Sequence, residues 1–134
     1  MKTKLLSLLT FFISFHFFAT TNRKALDAPP NSEKIIGVWY SNANRTIKWE
    51  YKNDGKLYCY EEGKTTAVFT YTISHTCQGN TDATIDYIKL VDSEKDEYCY
   101  KINKVNEGNN GILSLTGMHN QKEVIYVNDV TIKI

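Results

Sequence analysis

Three cysteines, Cys59, Cys77 and Cys99, hold the widest chemical range in this 134-residue chain. Three thiols cannot all pair within one molecule, so one stays free or pairs between molecules. Cys77 and Cys99 are the expected disulfide, because Cys77 stands in the longest stretch without a strand pattern and Cys99 falls on the outward face of its segment. Such a bridge stabilises by on the order of 3 kcal/mol. It requires the chain after Ser74 to fold back along the wall of the domain, and it leaves Cys59 buried as a small apolar residue. His75 and Cys77 could begin a metal site, but zinc takes three or four ligands, and His119 is the one further histidine outside the N-terminal stretch. No metal or cofactor is expected. A Cys–His nucleophile needs an orienting third group, and no residue is nominated for it. The carboxylates Glu61, Glu62, Glu94, Asp96 and Glu97 fall in or beside turns, where charges are solvated. An enzyme is not expected.

The remaining chemistry is aromatic, and its placement depends on strands. After Lys34 the chain shows short β-branched and aromatic segments separated by turn residues, the mark of a sandwich or barrel. Eight strands are expected, at 35–41, 45–51, 56–61, 65–74, 84–91, 97–104, 112–116 and 123–128, with 131–134 extending the last pairing. Ile47, Trp49 and Tyr51 alternate with Thr46, Lys48 and Glu50, so one face is apolar and the other wet. Asn53-Asp54-Gly55 is a hairpin turn, since glycine takes positive φ without strain. Asn109-Asn110-Gly111 is another. Short connections favour an antiparallel meander, and closing the sheet removes its exposed edges. The expected fold is all-β, an eight-stranded antiparallel up-and-down β-barrel.

The N-terminal stretch stands apart. Lys2 and Lys4 precede a run from Leu5 to Ala19 that is almost wholly apolar, the order of a secretory signal peptide. A spanning helix takes about 20 residues, and this run is shorter and interrupted by His16. Small residues at Ala19 and Thr21 place cleavage after Thr21. The expected organisation is signal peptide 1–21, flexible linker 22–34 and barrel domain 35–134. Export to the periplasm or the extracellular space is expected, with no transmembrane segment in the mature chain. Loss of Lys2 and Lys4 takes the formal charge from +1 to about −1. Scattered charges near neutrality give no electrostatic case for nucleic acid.

Gly37-Val38-Trp39 at the start of the first strand resembles the Gly-x-Trp of lipocalins. Further along come, in order, Trp49 and Tyr51, Asp54-Gly55, Tyr71-Thr72-Ile73, Tyr100-Lys101-Ile102 and Leu113-Ser114-Leu115. This order is similar to that of the small lipocalin-like domains of secreted bacterial proteins. The resemblance implies a lipocalin-like barrel in which Trp39 plugs one end. The chain departs from the larger members: no C-terminal helix and no late arginine are evident. Trp39, Trp49, Tyr51, Phe69, Tyr71, Tyr98 and Tyr100 are the candidate pocket-lining residues. Aromatic walls with a few hydroxyls suit a small apolar ligand, bound without catalysis. The same side chains could instead fill a barrel this small. The alternative function is a protein-interaction module, of inhibitor or immunity type, acting through an outer patch of Tyr40, Tyr58 and Tyr60.

Overall fold

The computed structural model describes residues 29–134, so the expected signal peptide and the first part of the expected linker lie outside the described residues. The strands are β1 (Gly37–Ser41), β2 (Ile47–Tyr51), β3 (Lys56–Glu61), β4 (Lys64–Ser74), β5 (Thr76–Cys77), β6 (Asn80–Thr81), β7 (Tyr87–Val91), β8 (Glu97–Val105), β9 (Ile112–Gly117) and β10 (Glu123–Val127). The two shortest, β5 and β6, form a separate hairpin between β4 and β7. The other eight close a barrel in the order β1-β10-β9-β8-β7-β4-β3-β2, with antiparallel pairing throughout. This is the all-β, eight-stranded meander that the alternating segments imply. The closing seam is the shortest ladder of the barrel: β1 meets β10 only at Tyr40–Val127 and Ser41–Tyr126.

Local turn chemistry sets the strand limits. Gly55, at φ +82°, closes the β2–β3 hairpin, and the Asp54 carboxylate accepts from the Lys56 amide at 3.0 Å. An Asx-x-Thr device recurs three times. In each, one side-chain oxygen accepts from both the amide and the hydroxyl of the threonine two residues on. Asn44 does so with Thr46 at 3.0 and 2.8 Å. Asp82 does so with Thr84 at 2.9 and 2.7 Å. Asp129 does so with Thr131 at 2.8 and 2.9 Å. The second instance corrects the expected strand 84–91, which begins only at Tyr87 because Thr84 is held in a turn. The third corrects the expected extension at 131–134: the chain turns at Asp129 instead of pairing.

The segment whose composition reads as linker ends in one helical turn, α1 (Asn31–Lys34), which leads into Ile35. The Asn31 amide donates to the Asp86 carboxylate at 2.8 Å, tying this turn to the approach to β7. Ile35 is fully buried and belongs to the core. The end of the barrel that carries α1 and the β2–β3, β4–β7 and β8–β9 connections is here the lower end. The β1–β2, β3–β4, β7–β8 and β9–β10 turns stand at the upper end.

The core is the barrel interior. Leu57, Ile88, Leu113 and Leu115 are fully buried, with Leu90, Val105, Tyr51 and Trp39 almost so. Among the described residues the buried set includes a single polar side chain, Ser114, whose hydroxyl donates to Glu123 and accepts from Asn103 at 3.0 Å.

Candidate functional site

Trp39 comes first, because its place decides which end is closed. Its indole Nε1 donates to the Ile35 carbonyl at 2.7 Å, and the residue is 2% exposed. It is committed to the barrel floor and is not free to meet a ligand.

The opposite end differs. Trp49, Phe69 and Tyr100 are half-buried, and Tyr98 is 44% exposed. All four point inward, because they occupy the core-facing phase of β2, β4 and β8. Their rings form an arc. Phe69 meets Tyr98 edge to face at 5.8 Å between centroids, and Trp49 meets Tyr100 at 6.2 Å in the same manner. Tyr98 and Tyr100 stand two apart on one face of β8 and join the two pairs. From Trp49 the aromatic contacts continue inward to Tyr51 at 6.3 Å and to Tyr126 at 4.6 Å, stacked. Tyr51 in turn meets Tyr71 at 5.1 Å.

The hydroxyls of these tyrosines differ in how they are satisfied. Tyr71 donates to the Lys52 carbonyl at 2.6 Å. The Tyr51 hydroxyl is buried without a hydrogen-bond partner. Leaving a buried donor unpaired costs about 1–3 kcal/mol. Burial above all, then the neighbouring Tyr126, Cys59, Tyr100 and Tyr71, holds the Tyr51 phenol well above its ordinary pKa. Burial likewise raises Tyr126, Tyr100 and Tyr71 and pushes the Cys59 thiol up to about 12. The interior is therefore uncharged at neutral pH. The Tyr98 hydroxyl donates to Asp92 at 3.5 Å, and Asp92, Asp96 and Glu94 raise its pKa. An apolar, neutral molecule can rest against the inner surface, whereas an anion would have to be desolvated without a counter-charge.

Cys77 and Cys99 form a disulfide, with Cα atoms 6.0 Å apart and a separation of 22 in sequence. The chain meets the geometric demand in the way the spacing requires. The β5–β6 hairpin, turned by Gln78 (φ +48°) and Gly79 (φ +80°), folds back over the outer wall of the barrel. It packs Cys77 against Tyr87 and Cys99, with Ile85 and Met118 at the edge of this second cluster. The Gln78 side-chain amide donates to the Glu97 carbonyl at 3.0 Å, on a part of β8 that lies beyond the last β9 pair, Tyr100–Gly117. Cys59 is free and buried, facing the interior.

At the upper rim, where β8 outruns β9, a hollow of about 350 Å³ is lined by Gln78, Glu97, Tyr98, Cys99, Tyr100, Gly117, His119 and Asn120. The Asn120 side chain occupies the space beside Gly117: a Cβ there would stand 2.7 Å from the Asn120 Oδ1, so Asn120 would have to shift. Two of the candidates, Tyr98 and Tyr100, thus belong both to the aromatic arc and to this hollow. Residue-type reasoning misses Tyr126, Gln78, His119 and Asn120 as parts of this end. Tyr126 lies in Val124-Ile125-Tyr126-Val127, where every position is apolar and alternation gives no phase. The others sit in turns, which have no period.

The outer patch of Tyr40, Tyr58 and Tyr60 lies on the β1–β2–β3 wall. Lys48 stands over the Tyr60 ring at 4.3 Å and Lys52 over the Tyr58 ring at 4.8 Å, so two of its faces are already covered by the protein's own cations. The His75 Nδ1 donates to the Ile85 carbonyl at 2.8 Å and lies 3.3 Å from Asp86. Cys77 is taken by the disulfide, and among the described residues no three His, Cys, Asp or Glu side chains come together as metal ligands.

The fold and site together define a closed eight-stranded antiparallel barrel, plugged at one end and aromatic at the other. Its architecture is consistent with a lipocalin-like fold. No protein-family model, curated protein or solved structure matches the chain.

Proposed function

We propose that this protein is an exported, lipocalin-like barrel that binds a small, neutral, ring-bearing apolar molecule at its upper end and does not transform it. The observation that carries this reading is the arc of Trp49, Phe69, Tyr98 and Tyr100: inward-facing rings that the fold leaves partly uncovered. Apolar side chains on the core face of a strand are ordinarily buried, and covering these rings would recover about 25 cal/mol per Å² of apolar surface. The fully buried aliphatic floor supports a shallow seat, not a deep calyx. Export is supported by the basic-then-apolar leader and by the disulfide, a bond that persists in oxidising compartments.

Titration of the intact protein with toluene and naphthalene, followed by tryptophan fluorescence, tests binding. A saturable change is expected that persists in Trp39→Phe and disappears in Trp49→Phe. A flat response to both ligands sinks the reading. For export, intact-mass measurement of the protein recovered outside the cytoplasm should show a chain starting at Asn22; a full-length chain there would refute leader cleavage.

A further inference from the structure

The rim hollow and the aromatic arc share Tyr98 and Tyr100, yet their chemistry differs. The arc is apolar. The hollow adds the polar residues Gln78, Glu97, His119 and Asn120. Its volume of about 350 Å³ falls in the range of small-ligand sites, which run from roughly 300 to 1,000 Å³.

Backbone partners fix which polar atoms remain free. The Gln78 NH2 group must face the Glu97 carbonyl, because a carbonyl only accepts, and this leaves the Gln78 Oε1 as a free acceptor. The Asn120 Oδ1 must face the Lys122 amide, from which it accepts at 3.0 Å, and this leaves the Asn120 NH2 as a free donor. His119 and Glu97 add further hydrogen-bonding atoms to the lining. A free donor beside free acceptors complements a hydroxyl, which both donates and accepts. No lysine or arginine lines the hollow, so an anionic head would find no counter-charge. Lys89 stands 3.9 Å from the Glu97 carboxylate.

We propose that the rim hollow is a subsite for a neutral, hydroxyl-bearing head, of which a sugar ring is the simplest form, carried by a ligand whose apolar part rests on the arc. The inference depends on the open end being a ligand site, and it adds the ligand's class: a neutral amphiphile with an apolar ring and a polyhydroxyl end. Gly117 is part of the device, because its missing side chain leaves Asn120 tucked beside the strand end.

The test uses the disulfide-bonded protein and three probes: toluene, glucose and phenyl β-glucoside, each titrated by tryptophan fluorescence and by calorimetry. Phenyl β-glucoside is expected to bind on the order of tenfold tighter than toluene, and glucose alone weakly. Asn120→Asp keeps the acceptor for the Lys122 amide and removes the free donor. It should weaken phenyl β-glucoside by about fivefold, the value of one hydrogen bond, and leave toluene unchanged. His119→Ala should act in the same direction. If phenyl β-glucoside binds no tighter than toluene, or if both variants weaken the two probes equally, the subsite is refuted while the aromatic seat stands. If neither toluene nor phenyl β-glucoside binds, the seat and the subsite fall together.

Discussion

The two ends of this barrel are built from similar residues to different purposes. At the lower end, Trp39 is buried, its indole is hydrogen-bonded to Ile35, and one helical turn leads into the floor. Trp49 lies in the same inward phase on the neighbouring strand, directly across from Trp39 in the β1–β2 ladder, but its ring meets Tyr100 and Tyr126 and stays partly uncovered. The side chains are alike; the segments that flank them are not. The lower end has a segment with an apolar anchor, Ile35, to close it. The upper end has short polar connections at 42–46, 62–63, 92–96 and 119–122. An aromatic residue is therefore core where the chain supplies a lid and surface where it does not.

The largest effect is expected at the closed end. Leu113→Ala should cost about 2–5 kcal/mol, as large-to-small changes at fully buried sites do, measured by denaturant unfolding. A cost below that of Tyr98→Ala would overturn the assignment of the lower interior as the stabilising half. Next comes the disulfide. Replacing Cys77 and Cys99 by serine should cost roughly 3 kcal/mol by loop entropy, with the far-ultraviolet β signal retained. Loss of that signal would mean that the barrel itself depends on the staple.

Gly111→Ala should rank third at about 1–2 kcal/mol, because the residue sits at φ +72° and a Cβ would stand 2.7 Å from the Ile132 Cδ1. A neutral result in thermal melts would show that the tail moves aside. Cys59 gives a pH test. Its thiol is raised from 9.0 to about 12 in the folded chain, so between those values the unfolded state has lost a proton that the folded state retains. Stability is then fully present below about pH 9 and declines as pH rises toward 12. The buried tyrosines add to the decline from their own ordinary value of 10.0 upward. Cys59→Ala should flatten the slope between 9 and 10, and an unchanged slope in urea titrations would exclude the thiol as its source. The smallest effect is expected at the mouth: Tyr98→Ala should change stability by less than about 1 kcal/mol while reducing toluene affinity. A stability loss without an affinity loss would make the upper arc mere packing.

The two ends also differ in how far residue order reveals them. Turn residues such as Asn53-Asp54-Gly55 and Asn109-Asn110-Gly111 mark hairpins, and alternation in β2 and β4 marks the inward phase, so eight strands and most of the arc can be read directly. Tyr87 cannot. It is buried on the outer face by the β5–β6 hairpin and the disulfide, next to an equally buried Ile88 that points inward. That burial arises from a fold-back turned by Gln78-Gly79, a pair without the Asn-Gly or Asp-Gly signature. The rim hollow is equally hidden, because Gln78, His119 and Asn120 come from separate turns and meet β8 only where it outruns β9.

The β1–β10 seam carries a consequence for solution behaviour. Two paired positions, followed by the Asn42 amide donating to the Ile125 carbonyl at 2.8 Å, hold the first and last strands together, while every other barrel ladder has at least four pairs. A cylinder fastened by so short a clasp is expected to open there first, which amide exchange of Tyr40 and Val127 against the other strands would check. The momentary opening would free two strand edges of matching register, and a second copy of the chain could supply the missing edge. Exchange of strands between molecules at high concentration would thus begin at Tyr40 and Val127, far from the disulfide that pins the opposite wall.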